Sequence, residues 1–113
     1  MPYSEEIEKR VDSRTARWKD LDKRRMFGGI CYLAKGNMCF GIHRDYLIVR
    51  LGTEAAEARM KERHVRPFDI TGRPMKGWVM VARGGWEREG ELKGWLEAGR
   101  ALALSLPPKR GGK

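Results

Sequence analysis

Residues 26 to 52 read MFGGICYLAKGNMCFGIHRDYLIVRLG. Apolar and β-branched runs are broken there by Gly36-Asn37 and Arg44-Asp45, residue types suited to the tight connections of two-residue hairpins. Two such turns predict a three-stranded antiparallel meander. Residues opposite each other across a hairpin share a face. Centring the turns on those two pairs therefore predicts one face of Cys31, Leu33, Met38, Phe40, Ile42, Leu47, Val49 and Leu51. The other face then holds Tyr32, Ala34, Cys39, Gly41, His43, Tyr46, Ile48 and Arg50. Cys31 and Cys39 project to opposite sides, so no disulfide is expected between them.

On the N-terminal side, Ser4 can cap a helix with Glu5, Glu6 and Glu8 in its first turn, and Ile7, Val11, Trp18 and Leu21 follow at helical spacing. This predicts a helix over residues 5 to about 21. On the C-terminal side, Thr53 can cap a short helix reaching about Arg63. Pro67 to Ile70 and Gly77 to Ala82 read as two further strands, joined by the polar, turn-rich segment 71 to 76. After a flexible Gly84-Gly85 pair, Leu92, Trp95, Leu96, Gly99, Ala103 and Leu106 mark a last amphipathic helix, stopped by Pro107-Pro108. The expected fold is α+β: an antiparallel sheet, the meander plus two strands, packed with N-terminal, short middle and C-terminal helices. One domain spans residues 1 to 108, and the basic tail 109 to 113 is expected to be disordered.

With 113 residues, 41% of them hydrophobic, the chain can bury one core without staples. Two cysteines are too few for a disulfide scaffold, the acidic start is unlike a signal peptide, and no apolar run approaches a membrane span. These features predict a cytoplasmic protein. The net charge of +9 is spread along the chain, with local runs only at Lys23-Arg24-Arg25 and Arg59 to Arg66, which reads as solvated surface more than as a groove for nucleic acid. No metal is expected, since Cys39 and His43 lie about 13 Å apart on a strand and His64 is the other histidine. No phosphate-loop or dinucleotide fingerprint occurs, and the serines and acids form no catalytic constellation, so no cofactor is expected either.

Four blocks carry a family resemblance: Met26-Phe27-Gly28-Gly29, Gly36-Asn37-Met38, Leu47-Ile48-Val49-Arg50-Leu51-Gly52, and Asp69-Ile70-Thr71-Gly72-Arg73-Pro74-Met75-Lys76-Gly77-Trp78-Val79. In this order and spacing they resemble the N-terminal domain of the TfoX/Sxy competence regulators. The resemblance runs from the first helix to Leu106-Pro107-Pro108. It implies a non-enzymatic regulatory or adaptor domain that acts through contact with another protein, in a family whose competence regulators assist transcription with the cyclic-AMP receptor protein. Their second, helical domain has no counterpart in this chain, so a stand-alone single-domain member is implied. The segment Arg83 to Gly90 departs from the family pattern.

Three places could carry a contact. The loop Thr71, Gly72, Arg73, Pro74, Met75, Lys76 and Gly77 offers two cations, a stiffening proline and an apolar methionine, suited to an acidic partner or, alternatively, to an architectural brace. Met26, Phe27, Gly28 and Gly29 could let another backbone approach, or could be a bulge beside core residues. Cys39, opposite Arg50 in the expected register, could be a reactive thiolate or a small buried hydrophobe. The function readings are, in order, a protein-binding regulatory domain, a weak salt-sensitive binder of nucleic acid, and an enzyme using the Arg73/Lys76 loop or Cys39. Oligomeric state is left open by the sequence.

Overall fold

The structure is a computed structural model and describes residues 3–26, 28–69 and 72–108. It is an α+β fold whose single antiparallel sheet has the order β1-β2-β3-β4-β6-β5. The meander forms as expected, with β2 (Gly29–Ala34), β3 (Asn37–His43) and β4 (Tyr46–Arg50), and β4 then pairs with β6 (Trp78–Val81). Helix α1 (Glu5–Thr15), with Ser4 Oγ accepting from Ile7 N, packs Ile7 and Val11 into the core. Helix α4 (Glu89–Leu104) adds Leu92, Trp95, Leu96 and Ala103 to the same core.

Several boundaries differ from the sequence reading. The first helix ends at Thr15 rather than Leu21, and Leu21–Met26 form β1, hydrogen-bonded along β2. Helical spacing of Trp18 and Leu21 misled because cross-strand partners, invisible locally, decide this segment: Lys23 lies opposite Tyr32 and pairs with Asp12 of α1, and Trp18 meets Phe40 edge-on. Helix α2 spans Thr53–Arg59 rather than reaching Arg63, and its cap position is Gly52, with no side-chain cap from Thr53. Strand β5 is Val65–Pro67, so Phe68 and Asp69 of the expected strand fall beyond it and Ile70 lies outside the described residues; β5 lies at the sheet edge, where a proline lacking its N–H does least harm. The Gly84-Gly85 pair belongs to a helical turn, α3 (Arg83–Trp86). A Cβ on Gly84 would come within 2.3 Å of the His64 ring, so this glycine serves close packing rather than flexibility.

The largest correction concerns register. The first hairpin turns at Lys35-Gly36, both with positive φ (51° and 84°), and Ala34 faces Asn37. Asn37 cannot be the turn residue because it is buried and its amide donates to the carbonyls of Ala103 (3.4 Å) and Pro107 (2.9 Å), fastening the end of α4. Two residues further, Leu33 pairs with Met38 but Tyr32 with Phe40, so Cys39 is the extra residue of a bulge. Strand β2 is thereby inverted relative to the expectation. Tyr32 and Ala34 join Phe40, Ile42, Leu47 and Val49 under the helices, whereas Cys31, Leu33 and Met38 move to the opposite face.

Ion pairs fasten the helical layer at its rim: Arg83 to Glu6, Arg10 and Arg14 to Glu89, Lys23 to Glu8 and Asp12, and Arg100 to Asp20. The Glu6 and Glu89 carboxyls are held below their ordinary range, chiefly by hydrogen bonds from Arg83 and from Arg14, respectively. Such exposed pairs orient the helices more than they stabilise them.

Candidate functional site

The helices cover one face of the sheet, and the other face carries a half-open cavity of about 450 Å³. Its floor is Cys31, Leu33, Met38, Gly41 and Ile48, contributed by β2, β3 and β4, because the bulge turns Cys31, Leu33 and Met38 to the face that Gly41 and Ile48 already occupy. One bank is built by Phe68, Met75 and Trp78, with the Phe68 and Trp78 rings 5.7 Å apart. Met26 and His43 also line the cavity. Met26 and Met75 are the large hydrophobic side chains most exposed among the described residues, at 38% and 41%. Both therefore lie at the cavity's mouth. Arg50 also lines the cavity, its guanidinium 5.3 Å from the Trp78 ring centroid.

The loop singled out in the sequence forms part of this site. Gly72 N donates to Asp69 O (2.9 Å) and Met75 N to Phe68 O (3.0 Å), closing the loop on itself. The Gly77 carbonyl accepts from Leu51 N (2.7 Å) and Gly52 N (3.1 Å), tying its end to β4. Thr71 lies outside the described residues, Gly77 is buried, Pro74 and Gly72 are exposed, and Met75 reaches the cavity. Arg73 and Lys76 are exposed, and neither is in an ion pair with a described residue.

The other candidates separate. Gly28 takes φ 74° in the turn between β1 and β2, and a Cβ on Gly29 would fall 2.1 Å from the Ile42 carbonyl. The close backbone approach at Gly29 is thus made by the chain's own β3. Phe27 lies outside the described residues. Cys39 and Arg50 do not meet: Cys39 is in the core cluster under the helices and Arg50 is on the open face. Cys39 donates its thiol proton to Tyr32 O (3.2 Å), and burial pushes its pKa up to about 12. Burial raises Cys31 as well. Both thiols are free and lie on opposite faces as expected, with the faces exchanged. The His43 imidazole is lowered by burial and then by Arg44.

Charge is distributed unequally between the two faces. Each ion pair among the described residues has at least one partner on a helix. On the open face, Arg24, Arg50 and Arg66 have no such partner, and Arg66 packs on the Tyr46 ring. Asp22, opposite Leu33, is the acid among the strand residues of this face. The open face thus carries more cations than acids among its strand residues. Sequence reasoning missed the cavity because its register assigned Cys31, Leu33 and Met38 to the core. A cluster of methionines around the β2–β3 hairpin and the 72–77 loop was the available signal.

A one-sided antiparallel sheet with an open apolar cavity defines the class: a small α+β domain with an uncovered sheet face. The family model of the TfoX N-terminal domain matches residues 13–103, which takes in all six strands. The chain belongs to that family and is a regulatory domain of the TfoX type. Comparison with curated proteins and with solved structures gave no significant match. Among the described residues, no helix is long and apolar enough to cross a membrane, and no three His, Cys, Asp or Glu side chains gather as a metal site.

Proposed function

We propose that this protein is a non-enzymatic, cytoplasmic regulatory or adaptor domain that works by binding another protein across the open sheet face and the 72–77 loop. The observation that carries this reading is the cavity itself, apolar at its floor, with exposed Met26 and Met75 at its mouth and Arg50 in its lining, in no ion pair with a described residue. Apolar surface left open beside a polar rim is the usual anatomy of an interaction site. The enzyme reading loses its nucleophile, because a buried thiol raised to about 12 is neutral at physiological pH.

The test is a photo-crosslinking residue at position 75, installed in the full chain in cells. A protein crosslink that weakens in Arg73→Ala with Lys76→Ala is the expected result. That double variant should melt within about 2 °C of the wild type, since exposed pairs contribute under about 1 kcal/mol and neither cation has a described partner. A fall of many degrees from Arg73→Ala alone would instead make the loop a structural brace. Nucleic acid is the second reading, favoured by Tyr46 and Trp78 sharing the open face with Arg66 and Arg50. It predicts crosslinks to nucleic acid and binding that fades steeply with salt.

A further inference from the structure

Strand register places one row of residues straight across the open face. Arg24 faces Cys31, Cys31 faces Gly41, Gly41 faces Ile48, Ile48 faces Met80, and Met80 faces Arg66. The row starts and ends on a cation without a described ion-pair partner and is apolar between them. Five interstrand spacings make it about 24 Å long. Cys31, Gly41 and Ile48 of this row line the cavity, and the Met38 methyl group lies against Gly41.

We propose that this row receives a short acidic amphipathic helix of a partner protein, with apolar anchors in the cavity that Cys31 and Ile48 line and carboxylates toward Arg24 and Arg66. The proposal rests on the protein-contact reading above and names what the partner presents. An occupant that crosses the middle of a sheet finds the strands' backbone groups already paired, so it must satisfy its own hydrogen bonds, as a helix does and an extended peptide does not. A length of about 24 Å corresponds to about 16 helical residues. Adaptable Met26, Met38 and Met75 suit anchors of more than one shape. Charge complementarity selects acid: Arg24, Arg50 and Arg66 on the strands, with exposed Arg73 and Lys76 on the loop, face Asp22 and Asp69. Nucleic acid fits less well, because base edges set over Cys31, Ile48 and Met80 would lose their hydrogen bonds. The Trp78 and Tyr46 rings, moreover, already carry Arg50 and Arg66.

The probe is a fluorescein-labelled 16-residue helical peptide with leucines on one face and glutamates toward both ends, titrated against the full chain by polarisation. Three comparison ligands are the same peptide with lysine for glutamate, the same peptide with serine for leucine, and a single-stranded DNA of 16 nucleotides. The acidic leucine peptide should bind at least about tenfold tighter than each of the three. Arg24→Glu with Arg66→Glu, both exposed, should invert the preference between the glutamate and lysine peptides while leaving melting in place. Equal binding of the two charge forms, tighter binding of the DNA, or no binding of the acidic peptide would overturn the proposal. Sequencing the segment crosslinked at position 75 separates the two levels of failure. A protein segment that is neutral or basic sinks only the acidic helix, whereas the absence of any protein crosslink sinks the protein-contact reading as well.

Discussion

Helix α4 lies directly on the bulge of β3, and a pair of glycines in that helix measures how closely. An alanine Cβ at Gly99 would sit 2.4 Å from the Cys39 carbonyl oxygen, 3.1 Å from its carbon and 3.2 Å from Phe40 Cδ2. At Gly94, on the same helix but exposed, such a Cβ would meet nothing within 4 Å. Ordinary contact begins near 3.4 Å, so Gly99→Ala forces a displacement of about 1 Å. Neither partner yields easily: the bulge is held by flanking strand pairs and by the Cys39 thiol bond to Tyr32 O, and α4 by buried Leu92, Trp95, Leu96 and Ala103. Both substitutions gain the same helix propensity, about 1 kcal/mol. That gain cancels in their difference, which isolates the overpacking cost of about 2–3 kcal/mol. For a chain of 113 residues, 1 kcal/mol shifts the midpoint by about 4 °C. Thermal melts should therefore show Gly94→Ala about 4 °C above the wild type and Gly99→Ala about 8–12 °C below Gly94→Ala. Equal midpoints for the two variants would refute the close seating of α4 on the bulge.

Three further outcomes follow from single contacts. Tyr32 donates its hydroxyl to Asp12 Oδ1 (2.8 Å), so Tyr32→Phe should cost about 1.5–3 kcal/mol in denaturant titration, the range for a hydrogen bond to a charged group. Lys35 holds φ 51° in the hairpin turn, and Lys35→Gly should raise the midpoint by about 4–8 °C, since left-handed backbone costs an L residue about 1–2 kcal/mol. The Cys39 thiol, raised to about 12, favours the folded state at any pH below the ordinary thiol value and loses that contribution as pH rises toward 12. Unfolding titrations should thus show stability falling from pH 9 to pH 11, and Cys39→Ala should flatten that slope. A slope unchanged by the substitution would place its cause elsewhere.

The parts of the fold that were legible in the sequence are those specified by nearby residues. The strands of the meander, the Arg44-Asp45 turn, the short helix after Gly52 and the apolar stripe of α4 all follow from local pattern. What was not legible depends on partners distant in the chain. Leu21–Met26 carry mostly charge and become a strand only because β2 offers an edge and Asp12 and Glu8 accept Lys23. Asn37 looks like a turn residue, and the turn moves one position because that amide finds the carbonyls of Ala103 and Pro107 some seventy residues away.

The candidate site shows how much hangs on the bulge at Cys39, since the turn shift alone moves the register by two residues and keeps the faces. Had the turn been centred on Gly36-Asn37 without a bulge, Cys31, Leu33 and Met38 would have sat under α4, and the open face would have presented Tyr32, Ala34 and Cys39 instead. The chain uses the bulge at Cys39 to do two things together. It lets α4 approach the β3 backbone at Gly99, and it turns an apolar strip outward between Arg24 and Arg66. A substitution that removed the bulge would therefore repack the core and erase the row in one step. For this reason the groove is better probed at its exposed ends, where charge can be exchanged without touching the register that creates it.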